Sequence, residues 1–369
     1  MNTSTLSKMV AFIKIPYFAL RKLKIRIQKK MFKHVSEVFL PKTASTNTID
    51  VKKFPAGYYK TFGDKNPDKT FYVIWVDHKG GGFFSNVGLV LCHLKIAHDA
   101  GMIPVVDFQN FETLYSEKDP IHGTTNAWEY YFKPVSNYTL DEVYKSKNVF
   151  FGTGMFPVSL GFNITEMEGL DEIYKKYVFL QPYAEEIINS YMKKFNLNDK
   201  TLGIHFRGNE IKYSPGHPFP PTEKQMFKYT DEILKKYDIE KIFLITIVQD
   251  YNDLFIERYG KKVVYTDSFR TENKKYFFKL SPRDNHRYLL GLEVLIDAIL
   301  LSKCNGLLCG DSNIVEFARL LNPKFKFIYK IDNGFNSGNS LIARHLYSVK
   351  KLLPAFLGGL SDKITIAKT

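Results

Sequence analysis

Between Thr201 and Tyr329, short apolar runs and longer two-faced stretches take turns with little else between them. Thr201–Phe206, Lys241–Ile247, Lys262–Thr266, Gly306–Cys309 and Phe325–Tyr329 have the length and the β-branched or aromatic content of buried strands. Thr222–Tyr237, Asp250–Tyr259, Asn285–Ser302 and Ile314–Leu321 carry apolar residues at helical spacing. Strands separated by helices cannot close as hairpins, so repeated units of this kind dictate a mostly parallel, doubly wound sheet with helices on its faces. The first half uses the same grammar more sparsely. Its predicted elements are strand Phe71–Val76, helix Val87–Ala100, strand Ile103–Asp107, a short helix Thr139–Lys147 capped by Thr139, and strand Asn148–Gly152.

A chain of 369 residues exceeds what one hydrophobic core usually supports, which favours two α/β halves with a cleft between them. The expected division is a basic segment over 1–40, a first domain over 41–180, a linking helix over 181–198 built on Pro182–Phe195, a second domain over 199–335, and a helix and tail over 336–369. Within the first domain, residues 41–69 read as a linker or irregular lead-in.

The formal net charge of +14 invites a nucleic-acid reading, but the charge is unevenly placed. Nine of the 52 basic residues lie in residues 1–35, which contain no acid; the remainder holds 43 against 38 acidic residues, a net +5. The body is therefore only mildly basic, and nucleic acid is not expected as a partner. The three cysteines, Cys92, Cys304 and Cys309, lie in apolar segments and match no metal knuckle or disulfide framework, which favours a reducing compartment, by default the cytoplasm. Met9–Leu20 is interrupted by Lys14 and Pro16 and is too short to span a bilayer. Over residues 16–34, Lys22, Arg26, Lys29 and Lys33 form one stripe and Leu20, Leu23, Ile27 and Met31 another. Such a helix either packs on the body or lies in a membrane interface, and the second reading places the chain peripherally on the inner face of the cytoplasmic membrane.

Polar residues gather where strands end. Arg207 follows the Thr201–Phe206 strand, beside His205, and its fixed fork of donors suits two phosphate oxygens; the alternative is a structural ion pair. Asp250 follows Lys241–Ile247. Asp311, Ser312 and Asn313 stand where a helix opens, either as a simple N-cap or as a phosphate cradle. In the first half, Asp77 leads into Gly80-Gly81-Gly82 and on to Asn86, which is either a tight turn or a loop that lets a ligand approach the backbone. Asp297, inside an apolar helical stretch, needs a ligand or a partner such as His205. No two aspartates are separated by a single residue, and there is no P-loop lysine, G-x-S-x-G or zinc spacing. Kinase, hydrolase and metalloenzyme readings lack support.

Taken together, His205-Phe-Arg207-Gly208-Asn209-Glu210 resembles the H-x-R-R-x-D motif of the fucosyltransferase superfamily that includes α1,2-, α1,6- and protein O-fucosyltransferases. The Gly216-His-Pro-Phe-Pro-Pro-Thr222 segment, the glycine loop ending in Asn86, Asp297 and the Ser312 turn are similar to bacterial relatives, in the same order, over roughly residues 70 to 330. The resemblance implies a GT-B fold of two Rossmann-like domains and an inverting, metal-independent enzyme that needs no cofactor and uses GDP-fucose as donor. It further implies that Arg207 holds the donor β-phosphate, that His205 and Asp297 lie near guanine and ribose, that Ser312 with Asn313 binds diphosphate, and that Asn86 with Gly81 and Gly82 lines the donor and acceptor site. Asp250 and Asp311 complete the donor set. Glu210, Asp77 and His217 are the candidate bases, in that order. The acceptor is expected to be a glycan or lipid-linked glycan in surface polysaccharide synthesis. Gly208 departs from the pattern, standing where the α1,6 enzymes have a second arginine, and Glu210 stands where aspartate is usual. Another nucleotide sugar, or a non-catalytic basic protein binding membrane or nucleic acid, are the competing readings.

Overall fold

The computed structural model describes residues 57–77, 79–154, 168–271, 281–361 and 363–367. The basic segment read as amphipathic over 16–34 lies outside them. Two compact units are present: among the described residues, one comprises 57–185 with 283–292, and the other 186–282 and 293–367.

The first unit contains β1 (Tyr58–Lys60), β2 (Lys65–Ile74), α1 (Phe83–Asp99), β3 (Ile103–Val106), α2 (Leu140–Val143), β4 (Ser146–Phe151) and α3 (Leu170–Tyr177). Its sheet runs β1-β4-β2-β3, with β2 parallel to both neighbours and β1 antiparallel at the edge. Phe71, Tyr72, Val73 and Ile74 are at most 1% exposed, so the apolar run of β2 is covered on both faces, as a central parallel strand must be. Two expectations change here. Residues 58–60 and 65–70 are strand, so the stretch read as a lead-in already belongs to the sheet. Helix α1 begins at Phe83, four residues before Val87, because the Phe83 ring is packed edge-on against Tyr115 and Tyr131 and drags the helix start back to the glycines. The Thr139 side chain caps α2 by accepting from the Glu142 amide, although the helix is a single turn.

The second unit follows the alternation closely. Helix α4 (Pro182–Phe195) leads to β5 (Thr201–His205), then α5 (Glu223–Lys236), β6 (Lys241–Ile245), α6 (Gln249–Tyr259), β7 (Val263–Val264), α7 (His286–Leu301), β8 (Gly306–Cys309), α8 (Asn313–Leu321) and β9 (Phe327–Asp332). The first turns of α4 and of α7 belong to the first unit and the rest of each to the second. Thr222 starts α5 with a capping box, its side chain accepting from the Gln225 amide while the Gln225 side chain returns to Thr222. The strands lie in the order β7-β6-β5-β8-β9, all parallel. Leu202, Ile204 and Phe206 point to one face, where they meet Met226, Tyr229 and Ile233 of α5 and Tyr251 and Phe255 of α6. The strand over Phe325–Tyr329 is not the last of the sheet. After α9 (Ser340–Leu352), the tail forms β10 (Lys363–Ala367), antiparallel to β9 and closing that edge. Its alternation of Ile364 and Ile366 with polar residues is too short to separate from coil by pattern alone.

Candidate functional site

The order of the six-stranded sheet fixes where a ligand is expected. Starting from β5, the chain adds β6 and β7 on one side, then crosses to lay β8 and β9 on the other, so the connections diverge between β5 and β8. In open α/β sheets, ligands sit in the crevice outside the carboxyl ends of strands at such a point. The register sets His205 opposite Cys309. Arg207 on one side and Gly310, Asp311 and Ser312 on the other therefore leave the sheet side by side.

A strap of backbone closes over this edge. The Gly216 amide donates to the Ser337 carbonyl at 2.9 Å, the Phe219 amide to Gly334 at 2.8 Å, and the Asn336 amide to the His217 carbonyl at 2.8 Å. Asn333, 3% exposed, donates from Nδ2 to the Pro220 carbonyl at 3.0 Å and exchanges amide contacts with Gln225. A Cβ at position 310 would lie 2.8 Å from Pro221 Cδ, so glycine there is what lets the proline seat against the end of β8. The Gly216–Thr222 segment thus ties the exit of β9 to the start of α5 and carries His217 into the site. None of the partners Asn333, Gly334 or Asn336 stands out in the sequence; only the Asn and Gly density of 333–339 hints at a loop held by side chains.

Within this frame His205, Arg207 and His217 feel one another. Burial first, and the Arg207 charge second, push the His205 imidazole down to about 3; the same two causes in the same order lower His217. His205 is 8% exposed and His217 is exposed by surface area, so the two rings meet solvent differently, yet both are neutral near pH 7 beside a half-buried guanidinium. Nδ1 of His205 is buried and meets no hydrogen-bond partner in the protein. An orphaned buried nitrogen costs free energy unless something else satisfies it, and it stands at the switch point, where a ligand group is expected to do so.

The Asp311-Ser312-Asn313 turn resolves into separate roles. Asp311 is paired with Lys330 of β9 at 2.9 Å, and Lys330 also reaches Glu316 at 3.5 Å. Ser312 occupies the N-cap position of α8 but its hydroxyl makes no capping hydrogen bond. A serine in this place whose hydroxyl is not spent on its own helix can face an oxyanion together with the helix's positive end. Asp250 lies exposed in the first turn of α6, next to Gln249, whose side chain is spent on Asp253 at 2.7 Å.

Glycine at position 208 has a steric cause. Tyr251 stacks on Phe206, centroids 4.0 Å apart and planes 5° off parallel, and a Cβ at position 208 would lie 2.5 Å from its ring. Lys212 holds the ring by its hydroxyl, donating to Tyr251 Oη at 2.7 Å; burial lowers the Lys212 pKa. Tyr251 and Lys212 were not singled out by sequence reasoning, since an aromatic in an amphipathic helix is ordinarily core.

Asp297 needs correcting. Its partner is not His205: Oδ1 accepts from Thr266 Oγ1 at 2.6 Å, and Oδ2 lies 3.5 Å from Ser268 Oγ, both in the segment after β7, two strands away from β5. Burial raises its pKa to about 7 against an ordinary 3.8, with the Thr266 and Ser268 hydroxyls and Arg270 only partly opposing. Between those values the folded protein holds a proton that the unfolded chain has released, so this group's contribution to stability falls as pH rises from about 4 to 7. Asp297→Asn, which keeps an acceptor for Thr266, is therefore expected to be near neutral at pH 4 and stabilising at pH 8, by up to about 4 kcal/mol. Urea unfolding at the two pH values measures this, and an equal difference at both would contradict it.

In the first unit, Asp77 stands at the corresponding divergence, between β2 and β4, where its amide donates to the Gly154 carbonyl at 3.0 Å. The glycine loop is less open to an anion than expected. The Phe83 amide is taken by Tyr115 Oη at 2.9 Å, and the Ser85 and Asn86 amides by the Gly82 carbonyl. Gly82 is an ordinary extended N-cap, φ −66° and ψ 162°, preceded by Gly81 in the same loop, and Asn86 is 6% exposed in the first turn of α1. The side chain of Glu210 lies outside the described residues. Among the described residues no group of three or more His, Cys, Asp or Glu is placed to hold a metal ion.

No protein-family model matches the chain, and a search of curated proteins finds no match. Solved structures do. The selenomethionine form of the fucosyltransferase NodZ from Bradyrhizobium is similar at a TM-score of 0.50 and 13% identity, over 82% of this chain and 99% of that one. NodZ α-1,6-fucosyltransferase soaked with GDP-fucose is similar at 0.49, with the same identity and coverage. A variant of Arabidopsis thaliana FUT1 in complex with GDP matches at 0.41 and 11%, over 74% and 72%. At these identities the likeness speaks for the fold: the chain is an α/β protein of two Rossmann-like units, the fold of the GT-B fucosyltransferases.

Proposed function

We propose that the chain is a glycosyltransferase which moves fucose from GDP-fucose, with inversion and without a metal, to a hydroxyl of a glycan or lipid-linked glycan in surface polysaccharide synthesis. The observation that carries this reading is the convergence of His205, Arg207, His217 and Ser312 at the β5/β8 divergence of one parallel sheet. Two electropositive groups there, a guanidinium and a helix start, suit a diphosphate. In the reaction the acceptor oxygen bonds to the anomeric carbon while the bond to the β-phosphate oxygen breaks, and the electron pair leaves on that oxygen. Arg207 and the Ser312 turn stabilise the charge as it develops. The acceptor proton passes to a base. Glu210 and His217 are the candidates in the same unit, His217 neutral at pH 7 and so able to accept it; Asp77 is the third. His205 Nδ1 would meet the nucleoside.

A thermal-shift panel tests the donor. GDP and GDP-fucose are expected to raise the melting temperature, since a ligand at about a hundred times its Kd adds about 2.7 kcal/mol to stability. A shift with UDP-sugars alone would favour the other donor class, and no shift with any nucleotide would favour a non-catalytic protein. Attachment to the inner face of the cytoplasmic membrane through residues 16–34 belongs to the same proposal, supported by the two stripes in that segment. A chain starting at residue 36 should then bind anionic vesicles more weakly than the full chain, and equal binding would remove the idea.

A further inference from the structure

Helix α9 docks on the second unit with one face only. Ala343 and Tyr347 are buried, and Lys350 turns inward to donate to the Gly358 carbonyl at 2.7 Å. The opposite face is apolar and open. Leu341 is 70% exposed, Ile342 and Val349 51% each, and Leu352 and Phe356 85% each. At 100° per residue Leu341, Val349 and Leu352 fall within one quadrant of the helix, with the exposed His345 between them and Ile342 at its border, and Phe356 follows in the turn after Pro354. Exposed leucine and phenylalanine are unremarkable singly, but a contiguous set marks a contact surface.

Charge says what kind. Arg344 and Lys351, both exposed, lie together along one side of the apolar arc, Lys351 with a 3.4 Å surface pair to Glu223. Residues 333–361 contain no aspartate or glutamate at all. A second copy of this face would bring like charges together, and residues 1–35 of the same chain, with nine basic residues and no acid, are no better matched. An apolar arc with cations along one side and no acid in its own segment suits the headgroup layer of an anionic bilayer, where side chains such as Leu352 and Phe356 reach acyl chains and the cations meet lipid phosphates. No helix among the described residues is long and apolar enough to cross a membrane, so the contact is interfacial. We infer that the outer face of α9, with the turn that carries Phe356, is a membrane-docking surface for anionic lipid, distinct from residues 16–34 and independent of the transfer chemistry.

The test uses the full chain with Phe356→Cys carrying an environment-sensitive fluorophore; Cys92, Cys304 and Cys309 are buried and stay unlabelled. Vesicles of phosphatidylcholine containing phosphatidylglycerol should shift its emission to the blue, and acyl-chain-brominated lipid should quench it. Phosphatidylcholine alone should do neither. Leu341→Glu with Leu352→Glu, both at exposed positions, should weaken the vesicle affinity read by this probe at least about tenfold. Because the probe reports on position 356 itself, its response is separable from any binding through residues 16–34. A probe that stays unshifted while the protein binds vesicles would overturn the inference, as would a lipid-independent shift that grows with protein concentration, which would make a second copy the occupant.

Discussion

Arg207→Ala is expected to lower kcat for sugar transfer by about 10²–10³-fold, the usual consequence of removing one preorganised donor from the charge that develops on a leaving oxygen. The residue sits beyond the hydrogen-bonded part of β5, and Phe206, its neighbour in the core, holds the strand end by stacking on Tyr251. The folded chain should therefore melt within a few degrees of the wild type, which circular dichroism would check. Arg207→Lys keeps a charge without the planar fork and should recover only part of the rate. Arg207→Ala should also raise the pKa of the two histidines that the guanidinium charge helps to depress, His205 and His217. Transfer unchanged in Arg207→Ala would remove the guanidinium from the mechanism.

The second large effect is structural and lies one residue further on. Gly208→Ala places a methyl group 2.5 Å from the Tyr251 ring. The ring cannot easily step aside, since it is 2% exposed, stacked on Phe206 and bonded to Lys212. Overpacking of this kind costs about 1–3 kcal/mol, and here the displaced backbone is the segment that aims Arg207. Both urea stability and GDP affinity should fall in Gly208→Ala. Tyr251→Ala in the same chain should restore room for the methyl group, so that adding Gly208→Ala to it costs less than adding it to the wild type. Additive losses would show that the contact is not the cause.

The same geometry explains what was and was not legible in the sequence. The β-α alternation from Thr201 to Tyr329 reads out because β5 and β8 are buried along their whole length and α5 buries one stripe, Met226, Tyr229 and Ile233, so that pattern and burial coincide. Pro182–Phe195 and Gly306–Cys309 stand as read. The placement of Arg207 after a strand and of Ser312 at a helix start was legible because strand ends and helix starts are local features. What was not legible depends on contacts far apart in sequence. Asp297 finds Thr266 and Ser268 rather than His205, a choice made by where α7 crosses the sheet. Asp311 is held by Lys330 from the neighbouring strand. Helix α1 starts early because Phe83 is packed against Tyr115 and Tyr131. The role of Gly208 needed the position of an aromatic ring over forty residues away.

In the proposed mechanism the nucleotide lies at the carboxyl end of β5, against His205 and His217. Imidazole resonances of histidine-labelled protein titrated with GDP test it most directly. The rings of His205 and His217 are predicted to shift on GDP binding, with the His205 Nδ1 signal moving to a hydrogen-bonded position, while His98, on α1 against Tyr177 in the other unit, stays still. GDP binding that leaves both His205 and His217 unmoved would contradict the site.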